Sequence, residues 1–419
     1  MNPQAAFAYE MTGVDSHGTL LVPAPAFASA DAAAEIGEIY WLALCRDVPF
    51  RDYETNLDIA AAVADLNGFS QTVGPKLEGR VTPGTVFRGE TRGDLIGPYV
   101  SQFLWQDVPY GPSALVQRYD APLPGLDFVT DYDEWLAVQQ GANPLASPAR
   151  PGAPRYISDL RALGHYMHHD VVFQAFFNAA LIVLGYGRDA LCLANPYRRS
   201  TNQSGFVTLG VVHVLDLVTK AARVGLAGAW FHKWLVHRRL RPEVMGGRIE
   251  IQRSGVKDYG ISGEVFASEA VARVAAANRS ALLPQAYPEG SPLHPAYPAG
   301  HATLAGACAT VLKAFFNEDL VIPQPVEASA DGHALDAWHG ADLTLRNEID
   351  KLAGNISMGR CAAGIHYRFD NRGLAVGAQQ AIGMLRDYSI TYGEEFDGFT
   401  VTRFDGERVR IVCGEVLPA

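Results

Sequence analysis

The stretch HPAYPAGHATLAGACATVLKAFF, residues 294–316, runs from a proline-held extended segment straight into an apolar helix. Pro295 and Pro298 fix φ and lack backbone donors, and Gly300 permits a close backbone approach. The spacing predicts a helix over 302–316. The first N–H groups of such a helix have no intrahelical partner and lie at the positive end of its dipole, which makes an anion site. His301 stands at the rim, where a histidine can serve as general acid or base. A proline-rich loop with a capping histidine fits this motif alone equally well.

Two further motifs sharpen the choice. In KWLVHRRLRPE, residues 233–243, Lys233, Arg238, Arg239 and Arg241 crowd together. Pro242 disfavours helix at the residue before it, so Arg241 is expected to project from a helix end. Two of the cations can converge on one anion while the others meet solvent or carboxylates. In GRCAAGIHYRFDNRG, residues 359–373, Arg360 precedes His366, and Asp370 reads as the N-cap of a helix over 371–388. Each motif taken singly is also explained by a charged helix end or a structural histidine. Together, Lys233, Arg241 and Arg360 with two helix N-termini describe a pocket for a tetrahedral oxyanion.

The rest of the chain supplies the frame. It has 419 residues, 48% hydrophobic and 19% charged, with mean hydropathy +0.01, enough to bury a large core. That length allows two or three domains, but motifs spread from Lys233 to His366 must meet in one pocket, which argues for a single helical unit. We expect an extended arm over 1–30, a helix over 31–45 capped by Asp31, and mixed short helices and turns over 47–155. A surface connection is expected over 143–156. Helices dominate 158–388, broken by a long loop over 242–300, and a hairpin turns at Asp405-Gly406. The fold class is therefore mainly α with minor β.

Thirty-four basic residues against 45 acidic give a net charge of −11, which disfavours nucleic acid and anionic lipid as partners. No apolar run reaches the length of a membrane span. The five cysteines form no CxxC pair and no secretory signal is visible, so a reduced, cytoplasmic setting is expected. His165, His168 and His169 can place two metal ligands on one helix face, although buried polar contacts are the simpler account. His333 and His339 flank an acidic stretch, 330–342, able to hold a structural calcium or to lie as a solvated loop. His232 and His237 are expected to pack beside the cationic helix.

The pattern K-x7-RP, HPxYPxGH and R-x5-H resembles the vanadium-dependent haloperoxidases, within the superfamily shared with the type 2 phosphatidic acid phosphatases. The phosphatases usually have one residue fewer between the Lys and the Arg, and the longer spacing looks like the bromoperoxidase branch. Similarity extends through YWLALCRDVPF (40–50) and covers most of the chain. The resemblance implies a helical-bundle fold, a vanadate cofactor and a homodimer or larger assembly. By position it implies His366 as the axial metal ligand, with Lys233, Arg241, Arg360 and the Gly300 N–H on the vanadate oxygens. His301 then handles protons. His294 matches a position that is His in bromoperoxidases and Phe in fungal chloroperoxidases, whereas Trp230 matches a fungal Trp, so the halide-shaping pair is mixed. Ala299 stands where the family commonly has a serine that bonds the cofactor. Losing one hydrogen bond to a charged group costs about 1.5–3 kcal/mol, tolerable beside three cations and a coordinate bond.

The implied chemistry is oxidation of bromide or iodide by hydrogen peroxide to a hypohalous electrophile that halogenates small organic acceptors. Vanadate acts as Lewis acid, and Lys233 polarises the oxygen under attack. Two alternatives fit the same residues. One is a phosphoester hydrolase of acid-phosphatase type, with His366 as nucleophile in the same pocket. The other is a non-catalytic oxyanion-binding homologue.

Overall fold

The computed structural model describes residues 9–142, 153–392 and 396–419. Twelve α-helices are found among them: α1 (Ala30–Leu44), α2 (Leu57–Leu66), α3 (Tyr132–Gln139), α4 (Leu160–His169), α5 (Gln174–Gly185), α6 (Val211–Phe231), α7 (Pro242–Arg253), α8 (Gly263–Ala267), α9 (Glu269–Asn278), α10 (Gly300–Phe315), α11 (Leu345–Ala362) and α12 (Gly373–Ser389). The mainly α expectation holds.

Every residue of α10 except His301 is buried. A helix apolar on all sides belongs at the centre of a bundle, and α10 lies against α6, α11 and α12. The α10–α12 contact needs glycine. A Cβ at Gly306 would fall 2.1 Å from the Leu374 carbonyl oxygen, and one at Gly377 would fall 1.8 Å from that of Thr303. Lys313 on α10 is wholly buried and meets Asp350 on α11 at 2.8 Å, a pair that fixes how the two helices sit. One apolar cluster runs from Ala33 on α1 through these helices to Ile411 near the C-terminus.

Among the described residues, no single helix is long and apolar enough to cross a membrane. The described part of the N-terminal arm lies on the body. The Gly13 N–H donates to Asp387 at 2.6 Å, Thr19 meets His232 Nε2 at 2.9 Å, and the Tyr297 hydroxyl donates to the Val22 carbonyl at 2.6 Å. The strands form three small antiparallel units: β1 (Val108–Tyr110) with β2 (Ser113–Leu115), β3 (Val326–Ala328) with β4 (Leu335–Ala337), and a sheet of β5 (Phe399–Thr402), β6 (Arg408–Val412) and β7 (Glu415–Pro418). The last contains the expected hairpin and one strand more, gained through a second turn in which Cys413 and Gly414 both take positive φ.

Several local expectations need correction. Ser29, not Asp31, caps α1, its hydroxyl accepting from the Ala32 N–H at 3.2 Å. The supposed loop over 242–300 contains α7, α8 and α9. Pro242 opens α7 at a position where its missing N–H costs nothing, and charges on these short amphipathic helices mask the apolar period. Asp370 is not the cap of α12 but sits inside a 3-10 turn, Arg368–Arg372, where its carboxylate accepts from the Tyr367 N–H. Most of the expected connection over 143–156 lies outside the described residues.

Candidate active site

Helix α6 does not stop at Phe231 but widens into a π-helical turn, His232–His237. Its closing bond runs from the Arg238 N–H to the Lys233 carbonyl, five residues back. Such a turn absorbs one residue more than an α-turn, which accommodates the long K-x7-R spacing. Arg238 then takes φ 48° and reverses the chain, so Arg241 becomes the N-cap of α7 instead of the end of the preceding helix. The four cations separate as their chemistry requires. Lys233 and Arg241 turn inward. Arg239 binds Glu35 at 2.7 Å and Asp370 at 3.0 Å, and exposed Arg238 bonds the Trp234 carbonyl.

The Lys233 ammonium is wholly buried and donates to the carbonyls of Pro295 and Ala296 at 2.7 and 2.6 Å. The HPAYPAGH segment thus serves as a cradle for the lysine as well as a helix start. Ala299 caps α10 without any side-chain bond, and its N–H donates to the Asp370 carbonyl at 2.9 Å. α10 begins at Gly300, two residues earlier than expected. The Gly300 and His301 N–H groups belong to the first turn, whose donors have no intrahelical acceptor. A Cβ at Gly300 would lie 3.3 Å from Leu226 and 3.8 Å from Trp230.

His366 links both motifs. Its Nδ1 lies 2.8 Å from Asp370 Oδ2, and its Nε2 lies 2.9 Å from Arg241 Nη1. A guanidinium only donates, so Nε2 carries the lone pair and Nδ1 the proton. A carboxylate behind a neutral imidazole is the arrangement that fixes a histidine as a metal ligand. Burial, then the charges of Arg241, Lys233 and Arg360, hold His366 far below the usual histidine range, so it stays neutral. His294 is pushed down to about 2 by burial and the neighbouring Arg241 and Lys233. Its Nδ1 lies 3.1 Å from Arg241 Nη2, and its ring tilts against Trp230 at 4.8 Å.

The inward cations lie close enough to depress one another. Lys233 is driven well below its ordinary value by burial and by Arg241, and Arg241 falls to about 9 through burial and Arg360. Arg360 donates from Nη1 to the Met167 carbonyl at 3.1 Å, and its buried Nε–H has no partner. His301, with 18% of its side chain open, meets Asp170 Oδ1 at 3.2 Å. Burial and Arg360 lower His301, and Asp170 opposes them. A cleft of about 340 Å³ is lined in part by Trp234, Arg241, Glu243 and His294. Converging cations, an orphaned guanidinium N–H, helix-start N–H groups and a neutral imidazole lone pair suit a vanadate-sized oxyanion whose metal takes one nitrogen ligand.

A vanadium-dependent bromoperoxidase of Ascophyllum nodosum is 36% identical over 98% of this chain and 77% of its own length. The chain belongs to the vanadium-dependent haloperoxidases. The bromoperoxidase of Corallina pilulifera is 33% identical over 98% of this chain and 79% of its own. The family model described as the VCPO second helical-bundle domain matches residues 217–388, the segment that carries all three motifs. The second vanadate-dependent bromoperoxidase of Ascophyllum nodosum, described as homohexameric, superposes with TM-score 0.93 at 28% identity, covering 98% of this chain and 76% of that one. The hydrolase alternative finds no support among these relatives.

The haloperoxidase fold brings every residue singled out from the motifs, Trp230, Lys233, Arg241, His294, Ala299, Gly300, His301, Arg360 and His366, into one neighbourhood. Sequence reasoning missed the roles of Asp170, Asp370, Arg239 and Glu35. In sequence Asp370 reads as a cap, and its position four residues after His366 is the available signal. Glu35, pushed up to about 7 by burial, comes from α1 and carried no local signal. In the acidic stretch 330–342, Asp331 bonds Ser329 within its own turn and Asp336 pairs with Arg51 at 2.8 Å, so these carboxylates do not converge. His232 and His237 stack at 5.6 Å within the π-turn, beside the cations as expected.

Proposed function

We propose that this haloperoxidase uses vanadate and hydrogen peroxide to oxidise bromide and iodide, producing a hypohalous electrophile that halogenates small organic acceptors. The observation that carries the reading is the neutral His366, proton on Nδ1 against Asp370, with its Nε2 lone pair turned toward the buried cations. Vanadate, held by His366, Lys233, Arg241, Arg360 and the Gly300 N–H, would supply a Lewis acid that makes peroxide oxygen electrophilic.

The chain's own residues handle the rest. His301, kept neutral by burial and Arg360 and oriented by Asp170, accepts the proton that peroxide loses. Lys233 is fixed by two carbonyls and places positive charge where negative charge develops. Trp230 and His294 form a wall beside Arg241 that shapes the halide's approach. The unpaired state of all five cysteines supports a reduced, cytoplasmic setting, testable by fractionation of the source cells. The homohexameric relative supports self-assembly, testable by light scattering. One domain spanning 1–419 is a further part of the proposal, tested by limited proteolysis.

The deciding experiment is reconstitution of apoprotein with vanadate, followed by peroxide and each halide, with phosphate-ester hydrolysis assayed without vanadate. Halide-dependent peroxide consumption is expected. His301→Ala should abolish turnover and leave vanadate bound, and near-normal bromide oxidation by that variant would sink the assigned role.

A further inference from the structure

His165, His168 and His169 occupy the last turn of α4 at i, i+3 and i+4. One nitrogen from each lies within 4.8 Å of the others, forming a three-histidine group graded from buried His165 to exposed His169. Glu289 meets Nε2 of His168, and the His168 ring stacks on Tyr287 at 3.8 Å. A helix C-terminus carries partial negative charge and favours a cation. In a tetrahedral site with metal–nitrogen bonds of about 2.0–2.1 Å, ligand nitrogens lie roughly 3.4 Å apart, within reach of modest side-chain rotation here. Three imidazoles with a carboxylate at one of them match borderline-soft divalent transition metals and not calcium or magnesium. We propose that the end of α4 binds one divalent transition-metal ion of the zinc class through His165, His168 and His169, with Glu289 as fourth ligand or as the carboxylate that orients His168.

The position has a consequence. Asp170, the next residue, is the C-cap of α4 and holds His301. Met167, in the same turn, accepts from Arg360. A metal ion that draws the three rings together tightens this turn and adds positive charge beside Asp170, which lowers the basicity of His301. Loading the site therefore slows turnover. This link rests on the peroxidase reading, whereas binding itself does not.

The test is calorimetric titration of vanadate-loaded protein, first freed of adventitious metal on a chelating resin, with zinc chloride at neutral pH. One zinc ion per chain is expected, with affinity weakened roughly tenfold or more by His169→Ala, an exposed position that folding tolerates, and unaffected by Cys413→Ser. Lack of saturable binding, or wild-type affinity in His169→Ala, would overturn the site. Bromide oxidation should slow with zinc in the wild type and not in His169→Ala. Zinc bound calorimetrically with unchanged turnover would overturn the link to Asp170.

Discussion

Substituting Ala299→Ser adds one hydroxyl at the N-cap of α10, beside the first-turn N–H groups that have no intrahelical acceptor. A hydroxyl can accept from one of those N–H groups and donate its own proton elsewhere at the same time. Acting as an N-cap, serine stabilises the protein by about 1 kcal/mol over alanine. Donating to a vanadate oxygen adds about 1.5–3 kcal/mol, a tightening of roughly ten- to a hundredfold in Kd. The backbone should hold the new side chain in place, because the Ala299 N–H is already bound to the Asp370 carbonyl at 2.9 Å. Two measurements separate the contributions: chemical denaturation of apoprotein reads the cap, and vanadate reconstitution followed calorimetrically reads the anion bond. A stabilised apoprotein with unchanged or weaker vanadate affinity would refute the placement of vanadate at the α10 N-terminus.

Three further outcomes follow from the electrostatics. Asp170→Asn removes the group that raises His301, leaving the depression from burial and Arg360. The acid limb of kcat/KM for peroxide should move to lower pH with a lower plateau, and a limb that stays put or moves up would exclude the pairing. His294 refuses a proton until about pH 2, whereas the unfolded chain takes one up near 6.5. Its contribution to stability is therefore present above 6.5 and drains as pH falls, by about 1.4 kcal/mol per unit. His294→Phe should flatten the slope of unfolding free energy between pH 6 and 4 by that amount, and an identical slope in both proteins would contradict the assignment. Asp370→Ala strips the buried Arg239 and His366 of a shared carboxylate. It should cost about 3–5 kcal/mol in urea denaturation, and a loss below about 1 kcal/mol would show that Asp370 is not the anchor described.

The legible part of the site was the part whose chemistry is local. Lys233 and Arg241 share one short run, and His301 follows a proline-braced turn at the start of an apolar helix. Arg360 and His366 flank the end of α11. These spacings are set by chain geometry over a few residues, so sequence exposes them. The missed helices over 242–300 failed for a related reason: their apolar faces are short, and α7 meets its partners only after the chain has folded back.

By itself, then, the sequence determined the helical class and the residues that the fold gathers around one pocket, because periodicity and charge clusters survive in one dimension. Tertiary structure decided which of four neighbouring cations serve the pocket, since only the π-turn and the reversal at Arg238 send Arg239 to Glu35 and Arg241 to His366. It also decided the tautomer of His366 and the basicity of His301. Both depend on carboxylates, Asp370 and Asp170, whose effect comes from burial and from distances of about 3 Å that the linear order cannot encode.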